Sequence, residues 1–413
     1  FELLQYPKPN DTTLPQFVVG VKNGFLPRMD PLVELPSKFS ALDNLLHKMP
    51  IYKADGSQGL LATGDFGEAV HKELPLLDVS GVEDSRLISA LFRDYTFAAS
   101  AYLLEPCDLN YRKTGDYGLG RKVLPKNISI PLWKLAEKIN GKPFMEYALS
   151  YALYNWARID PKGPLDYENI RLIRTFEGGK SEHGFVVTHV TMVAHTGDMV
   201  SAVHHVLQSV EKKDIKGLLS AFSELLSVTR RINDEMETMW LRSNPQDYIK
   251  FRTFIMGIKN QPMFPEGVIY EGVSDKPQAF RGESGANDSI IPTLDNLLEL
   301  TERMPRNPLT EILKDFRTYR PQGHSEYVNW VEKKAKYLRV REFAMTDPET
   351  ALLYLALLDQ VREFRLRHWL FTKSYIIAHT THPVATGGSP IVTWLPNQLG
   401  AVLDTMIETC KII

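Results

Sequence analysis

The chain has 413 residues, too many for one small core, so it builds either two domains or one large helical body with an appended module. Lys and Arg total 48 against 50 Asp and Glu, a balance that provides no general field for nucleic acid or an anionic membrane, so the expected ligand is small. The two cysteines, Cys107 and Cys410, belong to no CxxC pair, which argues against a zinc ribbon or disulfide scaffold and for a reducing compartment.

Residues 1–36 carry Pro7, Pro9, Pro15, Pro27, Pro31 and Pro36, a density that blocks regular helix and predicts an extended arm lying on the body. Ser37 then precedes an amphipathic run over 39–49. Asp84 opens another, with Leu87, Ile88, Leu91, Phe92 and Tyr95 at helical spacing. Turn formers crowd residues 106–126, which predicts a seam there and a division into 1–126, a small N-terminal α/mixed domain, and 127–413, a large all-α domain. Beyond the seam, helical periodicity covers 143–156, 184–208, 214–241, 245–258, 289–303, 347–379 and 396–411, so the fold is mostly α. A hairpin is expected at 170–182, turning at Gly178 and Gly179. No apolar run approaches the ~20 residues of a membrane span. The expectation is a soluble protein with the cytoplasm as its default compartment.

Several chemistries are excluded by missing motifs. There is no GxxxxGKS/T, no GxGxxG after a strand and no HExxH, and Gly282-Glu-Ser-Gly-Ala286 fails the hydrolase elbow at its last position. His204 and His205 are adjacent, so on a helix they point about 100° apart and cannot chelate together. His379 and His382 read as a solvated pair at a frayed helix end, and His195 as structural.

Three helical stripes remain. Leu357, Val361, Phe364, His368, Phe371 and Tyr375 place one imidazole on an apolar face, with Arg362, Arg365 and Arg367 as nearby cations for acidic groups at a cofactor's edge. Phe185, His189, Met192, Val193, Thr196 and Val200 do the same for His189. Each histidine has the plainer alternative of a core residue bonded to a backbone carbonyl. Tyr248, Phe251, Arg252 and Ile255 share a third face, whose guanidinium either escapes to water or meets an anion.

Together these segments resemble the indoleamine 2,3-dioxygenase family, haem enzymes that open the indole ring of tryptophan with O2. The likeness runs through Val123-Leu-Pro-Lys-Asn-Ile128, Tyr154-Asn-Trp156, Asp166-Tyr-Glu-Asn169, Gly267-Val-Ile-Tyr-Glu-Gly272, Arg281-Gly-Glu-Ser-Gly285, Arg365 to His368 and Thr386-Gly-Gly-Ser389. It implies haem b as cofactor, with His368 the iron ligand, Arg365 near a propionate, and Ser284 and Gly388 beside the ring. It further implies that Arg252 holds the substrate carboxylate. Tyr248 adjoins it, Tyr151, Ala152 and Phe185 line the indole pocket, and Gly285 and Thr386 belong to loops over the site. His189 stands where the mammalian enzyme has a serine, and the related tryptophan 2,3-dioxygenases also use a distal histidine. A neutral His189 accepting the indole N–H would lose that role near the ordinary histidine pKa of ~6.5. Ser284-Gly-Ala286 also departs from the mammalian Ser-Ala-Gly.

The implied activity is an oxidoreductase's, conversion of L-tryptophan to N-formylkynurenine, the opening step of the kynurenine pathway. Its implied partners are L-tryptophan or a related indole, O2 and an electron donor that keeps the iron ferrous, with neither nucleic acid nor membrane. An O2-binding, myoglobin-like or haem-sensing protein on the same scaffold is the alternative, as is an oxygenase of another indole.

Overall fold

The computed structural model describes residues 1–306 and 308–413, with the side chains of Ala286, Pro308, Leu309, Thr310, Leu313 and Trp394 outside the description. The side chain of Ala286, in the stretch where Ser-Gly-Ala departs from the mammalian order, therefore lies outside the described groups.

The proline-rich arm has no helix before Ser37 and is organised by one cation. Arg28 directs all five guanidinium N–H donors to the carbonyls of Pro7, Lys8, Asp11, Leu14 and Pro15, at 2.6–3.0 Å. Buried Leu3, Phe17, Val19 and Phe25 fasten the arm to the body.

The first helices are α1 (Ser40–Lys48), α2 (Phe66–Glu73) and α3 (Ser85–Thr114). Asp84 caps α3 by accepting from the amides of Arg86 and Leu87, as its position predicts. The helix then runs through Pro106 and stops at Gly115, whose φ of 77° only glycine adopts without strain. The turn-rich seam thus loses its first nine residues to α3, because a helix buried along most of its length holds its course through a proline. Helix α4 (Lys126–Ile139) packs on α3, and buried side chains from both sides of residue 126 join in one core.

The helix expected at 143–156 is a π-helical turn, Tyr147–Tyr151, followed by the strand Trp156–Arg158. Buried Glu146 takes the amides of Ala148 and Leu149 at 2.7 and 2.8 Å, which fixes the wide turn. Ile170–Leu172 pairs antiparallel with Trp156–Arg158, so the hairpin lies upstream of the expected one. Gly178 and Gly179 instead lead into α5 (Lys180–Val193), because the carboxylate of Glu182 gathers the amides of Phe176, Glu177 and Gly178. The helix expected over 184–208 breaks at Ala194 and His195 before α6 (Thr196–Glu211). There Thr196 Oγ1 accepts the Phe25 amide at 2.9 Å and donates to the Val193 carbonyl at 2.6 Å, so the arm sets the break.

The remaining long helices are α7 (Ile215–Glu237), α8 (Pro245–Arg252), α9 (Ile290–Leu297), α10 (Pro308–Arg317), α11 (Gln322–Leu338), α12 (Pro348–Phe371) and α13 (Ile391–Ile412). Val123–Leu124 and Ile269–Tyr270 form a short parallel pair. The molecule is mostly α, and none of its described helices is long and apolar enough to cross a membrane. Helix α7 packs against α5, α6 and α12 and thereby joins the two stripes that carry His189 and His368.

Within α3, fully buried Asp94 accepts from Arg93 Nε at 2.9 Å and from Arg174 Nε and Nη2 at 2.9 and 3.0 Å. Burial alone would raise this carboxyl, but Arg174 and Arg93 outweigh it and hold it below the usual carboxylate value. Its stabilisation is therefore present above the unfolded pKa of ~3.9 and is lost as pH falls through the lower folded value. Asp94→Asn, which leaves buried Arg93 without a carboxylate and Arg174 with Asp43 alone at 2.6 Å, should lower unfolding free energy by ~3–5 kcal/mol in urea titration at pH 7. A change under ~1 kcal/mol would show that neither arginine depends on this carboxylate.

Candidate active site

His189 of α5 and His368 of α12 line one cavity, which opens to solvent. Its walls are largely apolar, with Phe185, Met236, Phe364 and Phe371 among them, as in sites that bind apolar ligands and cofactors. At Thr372 the helix of His368 widens into a π-helical turn, Thr372–Ile377, and this turn aims Thr372, Tyr375 and Ile376 at the cavity together. Thr372 Oγ1 closes the transition by donating to the His368 carbonyl at 3.0 Å.

The His368 imidazole makes no hydrogen bond to any described residue, and burial followed by the nearby Arg365 lowers its pKa to about 4, so it is a neutral lone-pair donor. Of the three cations expected to serve a cofactor's edge, two are committed elsewhere. Arg362 pairs with Asp359 at 2.6 Å, and Arg367 with Asn233 at 2.8 Å and with Glu237. Arg365 alone is incomplete: it meets Asp295 at 2.5 Å, while its buried Nε and Nη1 have no partner. It faces an adjoining recess that shares His368, Gly285 and Asp288 with the main cavity and adds Arg317 and Arg320.

On the opposite wall, Phe185 packs edge-on to His189 at 5.1 Å and against Tyr248 at 5.1 Å. Burial, then proximity to His368, lowers the His189 pKa to about 4, so the titration near 6.5 expected from sequence is displaced and the ring stays neutral at physiological pH. Its Nδ1 lies 3.2 Å from the hydroxyl of Tyr147, which in turn donates to Asp288 at 3.2 Å. Burial raises the Asp288 carboxyl to about 6, which leaves it largely ionised at pH 7. Glu283 also faces the cavity, and burial and Glu146 push its carboxyl up to about 8.

Arg252 is fully buried at the end of α8. Its Nη2 donates to the Val384 carbonyl at 3.0 Å, its Nε and Nη1 have no partner, and no described acidic side chain pairs with it. It sits behind the lining, beside the phenols of Tyr248 and Tyr117. The segment above it is pinned: Gln261 donates to Ala385 at 2.7 Å, Arg281 to Gly387 at 2.8 Å, and the Gly257 amide to Thr386 at 3.0 Å. Gly282 permits this stacking, since a Cβ there would lie 2.5 Å from the carbonyls of both Ile255 and Thr386.

Phe185, His189, Tyr248, Ser284, Gly285, His368 and Thr386 thus meet around one cavity. Tyr151 and Ala152 are buried outside it, because the Tyr151 hydroxyl turns away to Glu182 at 3.1 Å. Gly388, at φ 88°, shapes the loop turn against Lys259 and does not line the cavity. His379 is exposed as expected, but His382 is not a solvated partner: it bonds to Gln261 at 3.0 Å and lies edge-on to Tyr117.

The indoleamine 2,3-dioxygenase family model matches residues 13–390. The chain belongs to the indoleamine 2,3-dioxygenase family. It is 29% identical to indoleamine 2,3-dioxygenase 1 of Mus musculus over 317 residues, 76% of this chain and 72% of that one. Against the Rattus norvegicus protein of the same name, identity is 28% over 350 residues, covering 84% and 81%. A myoglobin of Haliotis madaka is 26% identical over 320 residues, 76% of each chain. The protein is accordingly a haem-dependent dioxygenase of the indoleamine 2,3-dioxygenase type.

The residues present fit haem. The His368 imidazole is neutral and unbonded on an apolar wall, and Arg365 holds two orphaned donors suited to a propionate. Among the described residues no group of three or more His, Cys, Asp or Glu is placed to hold a bare metal ion, so a lone histidine suits a metal whose other ligands come with a cofactor. Tyr147, Asp288 and Glu283 are the site residues that sequence reasoning passed over. Tyr147 lay in a stretch read as α-helix, and Asp288 and Glu283 reach the cavity from loop backbone that carries no periodicity.

Proposed function

We propose that the protein opens the indole C2=C3 bond of L-tryptophan with O2 to give N-formylkynurenine, both oxygen atoms entering the product. The observation that carries this reading is Arg252, a fully buried guanidinium with two orphaned donors and no acidic partner. Such a group costs several kcal/mol unless an anion completes it, and a substrate carboxylate does so bidentately. For that contact Arg252 must exchange the Val384 carbonyl for the substrate, with the segment 384–389 shifting around the ligand.

Haem, which His368 and Arg365 would hold, would supply the redox chemistry that makes O2 reactive toward the indole. The chain's own contribution is placement. Phe185 and Tyr248 form the aromatic wall for the indole, while His189, held neutral by burial, accepts its N–H. Glu283, whose carboxyl burial and Glu146 push up to about 8, faces the cavity as a mainly protonated, hydrogen-bonding acid. The loops at 282–285 and 384–389 exclude water from the reacting face.

Likeness to a myoglobin gives a second reading, an O2 carrier, but a carrier has no use for an unmatched buried arginine. The ferrous protein under O2 separates the two. In a dioxygenase the oxy spectrum decays only when L-tryptophan is added, with product absorbance growing in step, whereas in a carrier it persists.

His368→Ala should abolish turnover and most haem retention; wild-type haem content with an unchanged ferrous–CO spectrum would remove His368 from the iron. Arg252→Ala should keep its haem and lower kcat/KM for tryptophan roughly 30-fold to several thousand-fold, the ~2–5 kcal/mol of a truncated buried charge pair. Tryptamine, which has no carboxylate, should lose little, so equal losses for both substrates would sink the clamp.

A further inference from the structure

One polar chain in the cavity wall is unused by the reading above. Tyr147 stands between His189 and Asp288, its hydroxyl 3.2 Å from His189 Nδ1 and 3.2 Å from Asp288 Oδ2. The Tyr147 and His189 rings meet edge to face, with centroids 5.4 Å apart and planes at 74°. Tyr147 and Asp288 are buried, Asp288 at the cavity edge.

The direction of each hydrogen bond follows from counting protons. Asp288 Oδ1 accepts the Ile290 amide at 2.7 Å, and Arg320 donates to the Asp288 main-chain carbonyl at 3.3 Å, which places a cation beside this carboxylate. An ionised carboxylate only accepts. The single Tyr147 proton therefore points at Asp288, and its oxygen turns a lone pair to the histidine. Nδ1 must then carry hydrogen for a bond to exist, and a neutral imidazole with Nδ1–H has a bare Nε2. Nε2 has no hydrogen-bond partner among the described residues, and His189 is part of the cavity lining.

We propose that Tyr147 and Asp288 are positioning residues that fix His189 as its Nδ1–H tautomer, so that the site presents an acceptor selective for a substrate N–H. This rests on the preceding reading that His189 meets the indole. The other tautomer would set an N–H against an N–H, and nothing in the imidazole itself prevents that arrangement. The carboxylate one residue away from the ring does, through the phenol between them.

Two variants of the haem-loaded enzyme test this, with L-tryptophan and 1-methyltryptophan compared in each. Tyr147→Phe removes the relay and should weaken tryptophan binding roughly fivefold to tenfold, the scale of one hydrogen bond, while 1-methyltryptophan changes by less than about twofold. Asp288→Asn should do more than remove it. Because Oδ1 stays on the Ile290 amide, the new side-chain NH2 faces Tyr147, and the phenol must then donate to Nδ1, which leaves the hydrogen on Nε2. That variant should bind tryptophan worse than Tyr147→Phe does, and should bind the benzofuran analogue, with an oxygen acceptor in place of the N–H, better than the parent does.

Nitrogen-15 NMR of the ferrous–CO holoenzyme reads the tautomer without any substrate. A His189 Nε2 resonance in the unprotonated range, moving to the protonated range in Asp288→Asn, supports the relay. A protonated Nε2 in the parent overturns it. If the parent tautomer is as stated but His189→Ala leaves the ratio of tryptophan to 1-methyltryptophan affinity unchanged, it is the indole contact that fails, and the selective role proposed for the relay falls with it.

Discussion

Everything functional here depends on keeping two helices apart while holding their relative position, and α7 does this. Interiors close up unless something prevents it, since an apolar void forfeits packing on every side. Helix α7 lies against both α5 and α12, so the separation of His189 from His368 is set by a third body that touches each. The contact with α12 is also polar. Asn233 donates to the carbonyl and side-chain oxygen of Gln360 at 3.1 Å and accepts from Arg367 at 2.8 Å, which blocks sliding of α12 along its axis. Two of the three arginines around His368 differ from the third for this reason: Arg367 anchors the helix, Arg362 pairs locally, and Arg365 is left for a ligand.

The cavity gathers groups that the fold leaves unfinished. Arg252 and Arg365 each retain two buried donors without acceptors, and burial raises the Glu283 carboxyl well above its usual value. Elsewhere some buried charges are completed fully, as Arg28 is by five carbonyls, while others such as Arg93 keep a single unpartnered donor. The contrast locates function by physics alone. Incomplete polar groups are tolerated where a bound molecule will supply the missing atoms, and this stored deficit becomes differential affinity for the right ligand.

The all-α character, the helix of His368, the helix of His189 and the face of Arg252 were legible because helical periodicity records burial directly. Loop identity carried further information, since Arg281 to Gly285 and Thr386 to Ser389 do come together over the site. What escaped was every feature decided by tertiary contact. Pro106 stayed helical inside a buried helix, and the α5 pattern was cut by a threonine that the N-terminal arm caps. The turn from Tyr147 to Tyr151 took a π geometry because Glu146 is buried beside its amides, which sends Tyr147 to His189 and Tyr151 to Glu182. No residue spacing announces that choice, and the polar chain behind His189 was invisible for the same reason.

The break between α5 and α6 has one more implication, for how the protein tolerates change in its proline-rich arm. His189 lies four residues before the break, about one helical turn or ~6 Å, and the break exists where the Phe25 amide meets Thr196. The first 28 residues are themselves tied into one knot by Arg28. A substitution that disturbs this knot therefore acts as an edit to the cavity wall, transmitted through a threonine rather than through the pocket. Variation in the arm is then expected to track ligand preference, although the arm itself lines no part of the cavity.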